Sequence, residues 1–249
     1  MRWLVALIFL ALPAQAESVV LGLSQNEVAI TTSFDGSEIL IFGAIKRDAP
    51  IPEGKLGVII AIAGPPEPVL VRRKDRRYGI WVNTDAVEIE AVPSFYAVAT
   101  NGPLSDVLSV TENLQQRVSV PSIIRSISTS DTVLDASTYI DALIRIRERA
   151  DQFQLLEGEI TVTDETLFRT HIRLPAALTE GDYATRIFLT RDGTVVAQYE
   201  TEIAVRKVGL ERWLYTTSRE QPLLYGLMSL AIAIAAGWGA SAAFSLLRP

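Results

Sequence analysis

The chain's one histidine, His171, is the residue type used most often for proton transfer and metal binding, so it is the first candidate for chemistry. It lies in an apolar–polar alternation between Arg169 and Arg173, which predicts that these three side chains share one face of a strand. No second histidine is present to complete a metal-binding pair. We therefore expect His171 to have no catalytic or metal-binding role.

Carboxylates are plentiful, and pairs such as Asp164-Glu165 and Glu157/Glu159 are suited to general acid–base catalysis when the fold brings them together. They cluster in predicted turns, and no Gly-x-Ser-x-Gly, P-loop or dinucleotide-binding motif accompanies them. The complete lack of cysteine excludes disulfides, thiol catalysis and thiolate metal sites. The sequence therefore predicts no enzyme, no catalytic residue, no cofactor and no bound metal.

The densest charge cluster is a run of five cations in six residues, followed directly by an aromatic and apolar stretch. One interpretation is a solvated hairpin tip. The other is a docking patch for anionic lipid headgroups or for an acidic protein surface. Trp81 fits either the patch or the core, because residues 80–82 predict a strand. The candidate docking patch consists of Arg72, Arg73, Lys74, Arg76, Arg77 and Trp81.

This basic run stands out because the protein as a whole is acidic, with a formal net charge of −6. All 29 acidic residues lie between Glu17 and Glu220, whereas two of the 23 basic residues, Arg2 and Arg248, lie outside that span. A general nucleic-acid-binding protein needs a broad basic surface. The charge balance therefore predicts that nucleic acid is not a partner.

The first sixteen residues have the order of parts found in a secretory signal peptide. Arg2 supplies the positive charge, residues 3–12 form an apolar stretch, and Ala14-Gln15-Ala16 matches a cleavage site. We expect Glu17 to begin the mature chain and the body of the protein to be exported. This places the body in the periplasm and the C-terminus in the cytoplasm, at the inner membrane.

Residues 221–247 contain no charged side chain and are long enough to cross a membrane as a helix. Pro222 suits the first helical turn, where its missing N–H does no harm. Small residues recur every fourth position, which lets two helices approach closely in lipid. We expect this face to pack against an integral membrane protein or a second copy of the chain; the alternative is that alanine and glycine are merely tolerated in a membrane anchor. The candidate helix-packing face consists of Ala231, Ala235, Gly239 and Ala243.

The segment between the two ends alternates short β-type runs with glycine and proline turns, which favours a sandwich. Asp35-Gly36 and Asp192-Gly193 each predict a hairpin, and Tyr183 resembles the tyrosine corner of immunoglobulin-like domains. Residues 138–153 have the period of an amphipathic helix, with a Thr138/Asp141 cap. The predicted fold is mainly β: immunoglobulin-like sandwich lobes or one elaborated sandwich, an intervening helix, and one C-terminal transmembrane helix.

These expectations divide the chain into six segments. They are a signal peptide (1–16), an N-terminal β-rich lobe (17–103), a helical connecting segment (104–157), a C-terminal sandwich-like lobe (158–208), a juxtamembrane segment (209–220) and a transmembrane helix (221–247).

The sequence also resembles the putative transmembrane protein family of alphaproteobacteria along nearly its whole length. The resemblance is most specific at Phe42-Gly43-Ala44, residues 73–83, Leu167-Phe168-Arg169, residues 181–193, Pro222-Leu223-Leu224-Tyr225-Gly226 and Gly237-Trp238. It implies a signal peptide and one C-terminal helix, and it brings no catalytic residues. Because genes of that family neighbour sulfite-exporter-type permeases, the resemblance implies a role beside a transporter.

We therefore expect a non-enzymatic, membrane-anchored periplasmic accessory protein of an inner-membrane complex. The first alternative is a tethered module that binds a small solute or anion. A further alternative, an envelope-remodelling enzyme, requires a cleft that gathers carboxylates or His171.

Overall fold

The computed structural model describes residues 17–24, 27–30, 36–47, 50–127, 136–207, 214 and 217–246. The predicted signal peptide (1–16) lies outside these residues, as does most of the predicted juxtamembrane segment. The described residues form two units. The first is a β-rich body, and the second contains the C-terminal helix.

Twelve strands and four helices lie between residues 17 and 207 of the part that the structure describes. The strands are β1 (Glu17–Leu23), β2 (Glu27–Ile30), β3 (Ser37–Arg47), β4 (Leu56–Ala63), β5 (Pro66–Arg77), β6 (Ile80–Pro93), β7 (Tyr96–Thr100), β8 (Phe153–Leu156), β9 (Thr161–Thr163), β10 (Leu167–Leu174), β11 (Gly181–Arg191) and β12 (Thr194–Lys207). The helices are α1 (Leu104–Val107), α2 (Val110–Gln116), α3 (Val120–Ile127) and α4 (Ala136–Arg149).

The strands form two main sheets and one hairpin. The first sheet has the order β1-β3-β10-β9, and the second has the order β2-β12-β11-β4-β7-β8. The hairpin consists of β5 and β6. Strands from before and after the helices are neighbours in both sheets, at β3/β10 and at β4/β11. The two predicted lobes therefore share their sheets, and of the two architectures left open by the sequence the structure shows one elaborated sandwich.

The core follows from the period-two pattern of the strands. In β10, Phe168, Thr170, Ile172 and Leu174 are buried while every intervening residue is exposed, as expected for a sheet with one face on the core. In β4, Leu56 through Ile62 are all buried, because both faces of the second sheet are covered. Alternate residues of β4, beginning with Ile59, belong to one apolar cluster with side chains of β6, β7, β11, α3 and α4.

The predicted fold class is confirmed: the chain is mainly β, with a helical segment between strands and one C-terminal apolar helix. The helix predicted at 138–153 is wrong in its bounds, because α4 begins at Ala136 and ends at Arg149. The predicted cap at Thr138 is therefore also wrong. Phe153 continues the apolar period of α4 but starts β8, which pairs in parallel with β7. Tertiary pairing thus overrides the local helical pattern.

The hairpin prediction at Asp192-Gly193 is confirmed. Both residues have positive φ (48° and 81°), and they join β11 to β12 directly. The hairpin predicted at Asp35-Gly36 falls largely on residues 31–35, which lie outside the described part of the chain; of the described strands on either side, β2 lies in the second sheet and β3 in the first. A turn signal predicts a reversal of the chain but cannot tell whether the chain also changes sheet. The tyrosine corner is confirmed, since the Tyr183 hydroxyl donates to the Thr179 carbonyl over 2.9 Å.

The C-terminal helix, α5, runs over Pro222–Leu246 and begins at the predicted proline. Residues Pro222–Ser241 are long and apolar enough to cross a membrane, with a mean hydropathy of 1.7, and no residue of the span is buried. Ala231, Ala235 and Gly239 are exposed along it. Ala243 lies within the helix, but its side chain is outside the described part of the structure.

Candidate interaction surfaces

The outer face of the first sheet carries an apolar patch, which we call the sheet patch and define as Val20, Phe42 and Leu167. The strand register places these residues around Ala44, because Val20 and Leu167 are its direct partners on β1 and β10. All three are exposed, Phe42 to 45%. An exposed apolar cluster on a folded domain is typical of a site of protein or membrane contact.

Glycine shapes this surface from both sides of the sheet. Gly22 is the cross-strand partner of Phe42, and a Cβ built on Gly22 would lie 2.5 Å from Phe42 Cε2. The ring of Phe42 therefore lies directly over the glycine backbone, as aromatic side chains do when they cover a glycine in a neighbouring strand. On the inner side, the ring of Phe168 occupies the space above Gly43 in the same way. Phe42 is thus held in place while much of its ring faces water.

The second surface is the β5–β6 hairpin, which contains the predicted docking patch. Val71 and Val87, a cross-strand pair, are its last buried residues before the tip. All six residues of the basic run, 72–77, are exposed beyond that pair, a length of about 20 Å at roughly 3.4 Å per residue. We call this projecting part the arm. Trp81 is 68% exposed, so the interpretation of Trp81 as a core residue is wrong.

The turn of the arm places its aromatic residues at the outermost point. Tyr78 and Gly79 form a two-residue turn with positive φ at both positions (51° and 83°), the geometry that fits the twist of antiparallel strands. Arg77 then pairs with Ile80, and Arg76 pairs with Trp81. Tyr78, Ile80 and Trp81 are all exposed.

A cavity of about 820 Å³ opens where β3, β8 and β10 approach each other. His171 Nδ1 lies 3.6 Å from Glu38 Oε1, and both side chains are more than half exposed. The cavity is open and polar, and a small solute is compatible with its size and charges. Its polar lining includes Glu38, Asp151, Gln154, Glu159, His171 and Arg173. The cleft required by the enzyme alternative is therefore present.

Other carboxylates singled out in the sequence have structural contacts. Glu157 Oε1 accepts a hydrogen bond from the backbone N–H of Leu104, the first residue of α1, over 2.7 Å. Glu165 Oε2 lies 3.1 Å from Arg191 Nη1. Among the described residues, no group of three or more His, Asp or Glu side chains is arranged to hold a metal ion.

Sequence reasoning missed a buried ionic cluster formed by Glu17, Arg47 and Arg191. Glu17 Oε1 lies 2.7 Å from Arg47 Nε and 3.0 Å from Arg191 Nη2. Glu17 is 4% exposed and Arg191 8%. Because Glu17 and Arg47 lie in the first sheet and Arg191 in the second, the cluster joins the two layers of the sandwich. No local sequence signal links residues 174 positions apart.

Burial, hydrogen bonds and neighbouring charges in this cluster shift the pKa values of Glu17 and Arg191. Burial by itself would raise the pKa of the Glu17 carboxyl, but hydrogen bonds from Arg191 and Arg47 and their charges hold it below its ordinary value of 4.5. Burial would lower the pKa of Arg191, but Glu17 and Glu165 raise it above its ordinary value. Glu17 and Arg191 are therefore both charged at neutral pH.

Arg186 makes a second structural contact that the sequence did not reveal. Its guanidinium donates to the carbonyl oxygens of Gln116 (2.9 Å) and Arg117 (3.1 Å), at the C-terminus of α2. It also lies 5.4 Å from the centre of the Phe188 ring. Arg186 thereby fixes the helical segment to the second sheet.

Comparison with models of protein families gives a match. The family model described as "Putative transmembrane protein (Alph_Pro_TM)" matches residues 18–245, which is nearly the whole chain. A search of curated proteins returns no match. With an exposed apolar helix at its C-terminus and a match of this extent, the chain belongs to this transmembrane protein family.

Proposed function

We propose that the chain is a non-enzymatic accessory protein of an inner-membrane complex, with its body in the periplasm, α5 across the membrane and its C-terminus in the cytoplasm. The observation that carries this proposal is the sheet patch, in which Phe42 is held over Gly22 yet exposed to water. The proposed occupant of the sheet patch is the periplasmic surface of an integral membrane protein of the transporter class. Large exposed apolar side chains on a rigid sheet support a protein contact more than a catalytic site.

The charge beside the sheet patch indicates the chemistry of the partner. The exposed Arg169 is the direct cross-strand neighbour of Phe42. An apolar centre with a cation at its edge is complemented by a surface that has an apolar centre and an acidic rim. A partner of this kind would bury Phe42 and pair with Arg169 at the same time.

Co-purification tests this contact. In the full chain, Phe42→Asp combined with Leu167→Asp puts two charges into the sheet patch, and we expect it to abolish recovery of the membrane partner in mild detergent. The matched control is Leu114→Asp with Val110→Asp, which changes two exposed apolar residues of α2 instead. Equal recovery with both double variants would contradict the docking role of the sheet patch.

The small-residue rows of α5 give a separate test of the anchor. Ala235→Ile with Gly239→Ile adds bulk to the predicted helix-packing face, whereas Ala233→Ile with Gly237→Ile adds the same bulk to a second row about 200° around the helix. We expect only the first pair to reduce recovery of the partner. Unchanged recovery with the first pair would refute helix docking.

The proposed orientation rests on the predicted signal peptide and can be measured because the chain contains no cysteine. In Leu114→Cys, the new thiol lies on an exposed residue of the body. We expect a membrane-impermeant maleimide to label it in cells whose outer membrane has been opened. Labelling only after lysis of the inner membrane would contradict a periplasmic body.

The non-enzymatic part of the proposal is supported by the geometry at His171. The His171 and Glu38 side chains are separated by 3.6 Å and lie open to water, whereas catalytic sites exclude water to strengthen their electrostatic interactions. We expect a His171→Ala, Glu38→Gln variant to complement a deletion strain as fully as the unmodified chain does. Failure to complement, with normal expression and folding, would support an active site in this cavity.

The cavity itself favours a second candidate function, binding of a small solute or anion. Arg173 lines it beside His171, and three carboxylates (Glu38, Asp151 and Glu159) share the lining. This alternative predicts that a solute from a panel of small anions, cations and zwitterions raises the melting temperature of the chain, and that Arg173→Gln removes the effect of an anion. A full panel without any shift would count against it.

A further inference from the structure

The register of the β5–β6 hairpin separates the charges of the arm onto two different faces. Directly paired residues of antiparallel strands lie on the same face, and successive residues alternate. One face carries Arg72, Lys74 and Arg76, whose partners are Ala86, Asn83 and Trp81. We call this the cationic face; beyond Val71 and Val87 its paired positions contain no acidic residue.

The other face of the arm is balanced in charge. Arg73 is paired with Asp85, Asp75 with Val82, and Arg77 with Ile80. Two cations and two carboxylates therefore share this face, which we call the balanced face. The run that appears as one basic patch in the sequence is in fact a row of three cations on one face, with successive cations about 7 Å apart.

The arm also has an order along its length. Tyr78, Ile80 and Trp81 lie at the outermost end of the arm. Arg76 and Arg77 are level with Trp81 and Ile80, and the remaining cations, Arg72, Arg73 and Lys74, lie behind them toward the body. A membrane surface has the same order, because the boundary of the acyl chains lies beneath a layer of phosphate groups. Trp and Tyr are enriched at that boundary, and Lys and Arg bind the phosphates.

From this arrangement we propose that the arm binds the headgroup layer of an anionic phospholipid membrane, with Trp81 and Tyr78 at the acyl boundary and the cationic face against the phosphates. A protein partner with an acidic surface would not require aromatic residues at the outermost end of the arm. The acidic character of the rest of the chain concentrates attraction to anionic lipid on the arm. The proposal goes beyond the accessory role and is independent of the sheet patch.

Vesicle binding tests the proposal with the full chain. The chain is held in nanodiscs of phosphatidylcholine and mixed with sucrose-loaded vesicles of phosphatidylcholine, with or without about 30% phosphatidylglycerol, which makes the surface anionic. Sedimentation of the vesicles measures the bound fraction. We expect binding to the anionic vesicles, weaker binding at high salt because the attraction is screened, and little binding to phosphatidylcholine alone.

Two matched variants distinguish the faces. Arg72→Gln with Arg76→Gln and Arg73→Gln with Arg77→Gln remove the same charge from the same arm. Because each cation near an anionic surface is worth roughly a fivefold change in affinity, we expect the first pair to weaken binding about 25-fold. The second pair faces away from the phosphates, and we expect it to weaken binding less than about fivefold. Equal losses would overturn the assignment of the cationic face.

Trp81 provides a third readout. Trp81→Ala is expected to weaken binding about tenfold, because a ring that leaves water for the acyl boundary contributes on that order, and Trp81→Phe is expected to restore most of it. All of these side chains are exposed, and the melting temperature of each variant verifies its folding. No preference of the unmodified chain for anionic vesicles would overturn the proposal and favour an acidic protein surface as the occupant, while co-purification through the sheet patch would be unaffected.

Discussion

Replacing Glu17 by glutamine removes the one negative charge between the buried Arg47 and Arg191 while it keeps the size of the side chain. Glu17 Oε1 is bonded to both guanidinium groups, at 2.7 and 3.0 Å. Removing one partner of a buried ion pair leaves the other charge uncompensated, which typically costs about 3–5 kcal/mol. Because Arg191 keeps its contact with Glu165 (3.1 Å), we expect a loss at the lower end, about 3 kcal/mol.

This loss has a measurable thermal signature. A body of this size loses roughly 2–4 °C of melting temperature per kcal/mol, so Glu17→Gln is expected to melt about 6–12 °C below the unmodified chain at pH 7. The assay is circular dichroism of the full chain in mild detergent, followed through the β signal on heating. The control is Glu159→Gln, an exposed carboxylate whose replacement we expect to change the melting temperature by less than about 2 °C.

The dependence on pH has a definite sign. In the folded protein the pKa of Glu17 lies below its ordinary value of 4.5. The carboxylate therefore contributes its full stabilisation at pH values above 4.5, and this contribution is lost as the pH falls through the lowered pKa. The difference in melting temperature between the unmodified chain and Glu17→Gln should therefore be constant near neutral pH and shrink in strong acid. Equal melting temperatures at pH 7, or a difference that does not change with pH, would show that the charge of Glu17 does not stabilise the fold.

Three further substitutions test packing and exposure by the same melting assay. Tyr183→Phe removes the hydrogen bond to the Thr179 carbonyl and is expected to cost about 1 kcal/mol; an unchanged melting temperature would contradict the importance of the corner. Gly43→Ala would place a Cβ in steric conflict with the ring of Phe168, so we expect a loss of about 1–3 kcal/mol from overpacking, whereas a stable variant would show that the ring can move. Trp81→Ala should change stability by less than about 0.5 kcal/mol because Trp81 is 68% exposed; a large loss would mean that it packs against the body.

The sequence predicted those parts of the fold that depend on local pattern. The alternation in β10, the continuous apolar run of β4 and the Asp192-Gly193 turn all lie within a few residues of the structure they specify. The tyrosine corner was recognisable because its donor and acceptor are four residues apart. Each of these features results from interactions among neighbours in the chain.

The errors arose where distant partners decide the structure. The end of α4 at Arg149 depends on the pairing of β8 with β7, about 55 residues earlier in the chain. The placement of β2 and β3 in different sheets depends on β12 and β10, which a local turn signal cannot predict. Glu17 looked like an ordinary mature N-terminus, and only the folded chain brings it to Arg191.

The candidate surfaces were partly predictable for the same reason. The basic run was evident from composition, but its division into a cationic and a balanced face required the register of the hairpin, including the irregularity at Arg73/Lys74. The sheet patch was not predicted at all. Its three residues lie on three strands, and Phe42 looks like a core residue within the apolar run of β3.

Photo-crosslinking in living cells tests the accessory role most directly. A photoreactive amino acid is placed at Phe42 in a tagged full chain, with Leu114 as the control position, and adducts are identified by mass spectrometry. We expect an adduct with one integral membrane protein from position 42 and none of that protein from position 114. The same adduct from both positions, or only adducts with a second copy of this chain, would contradict it.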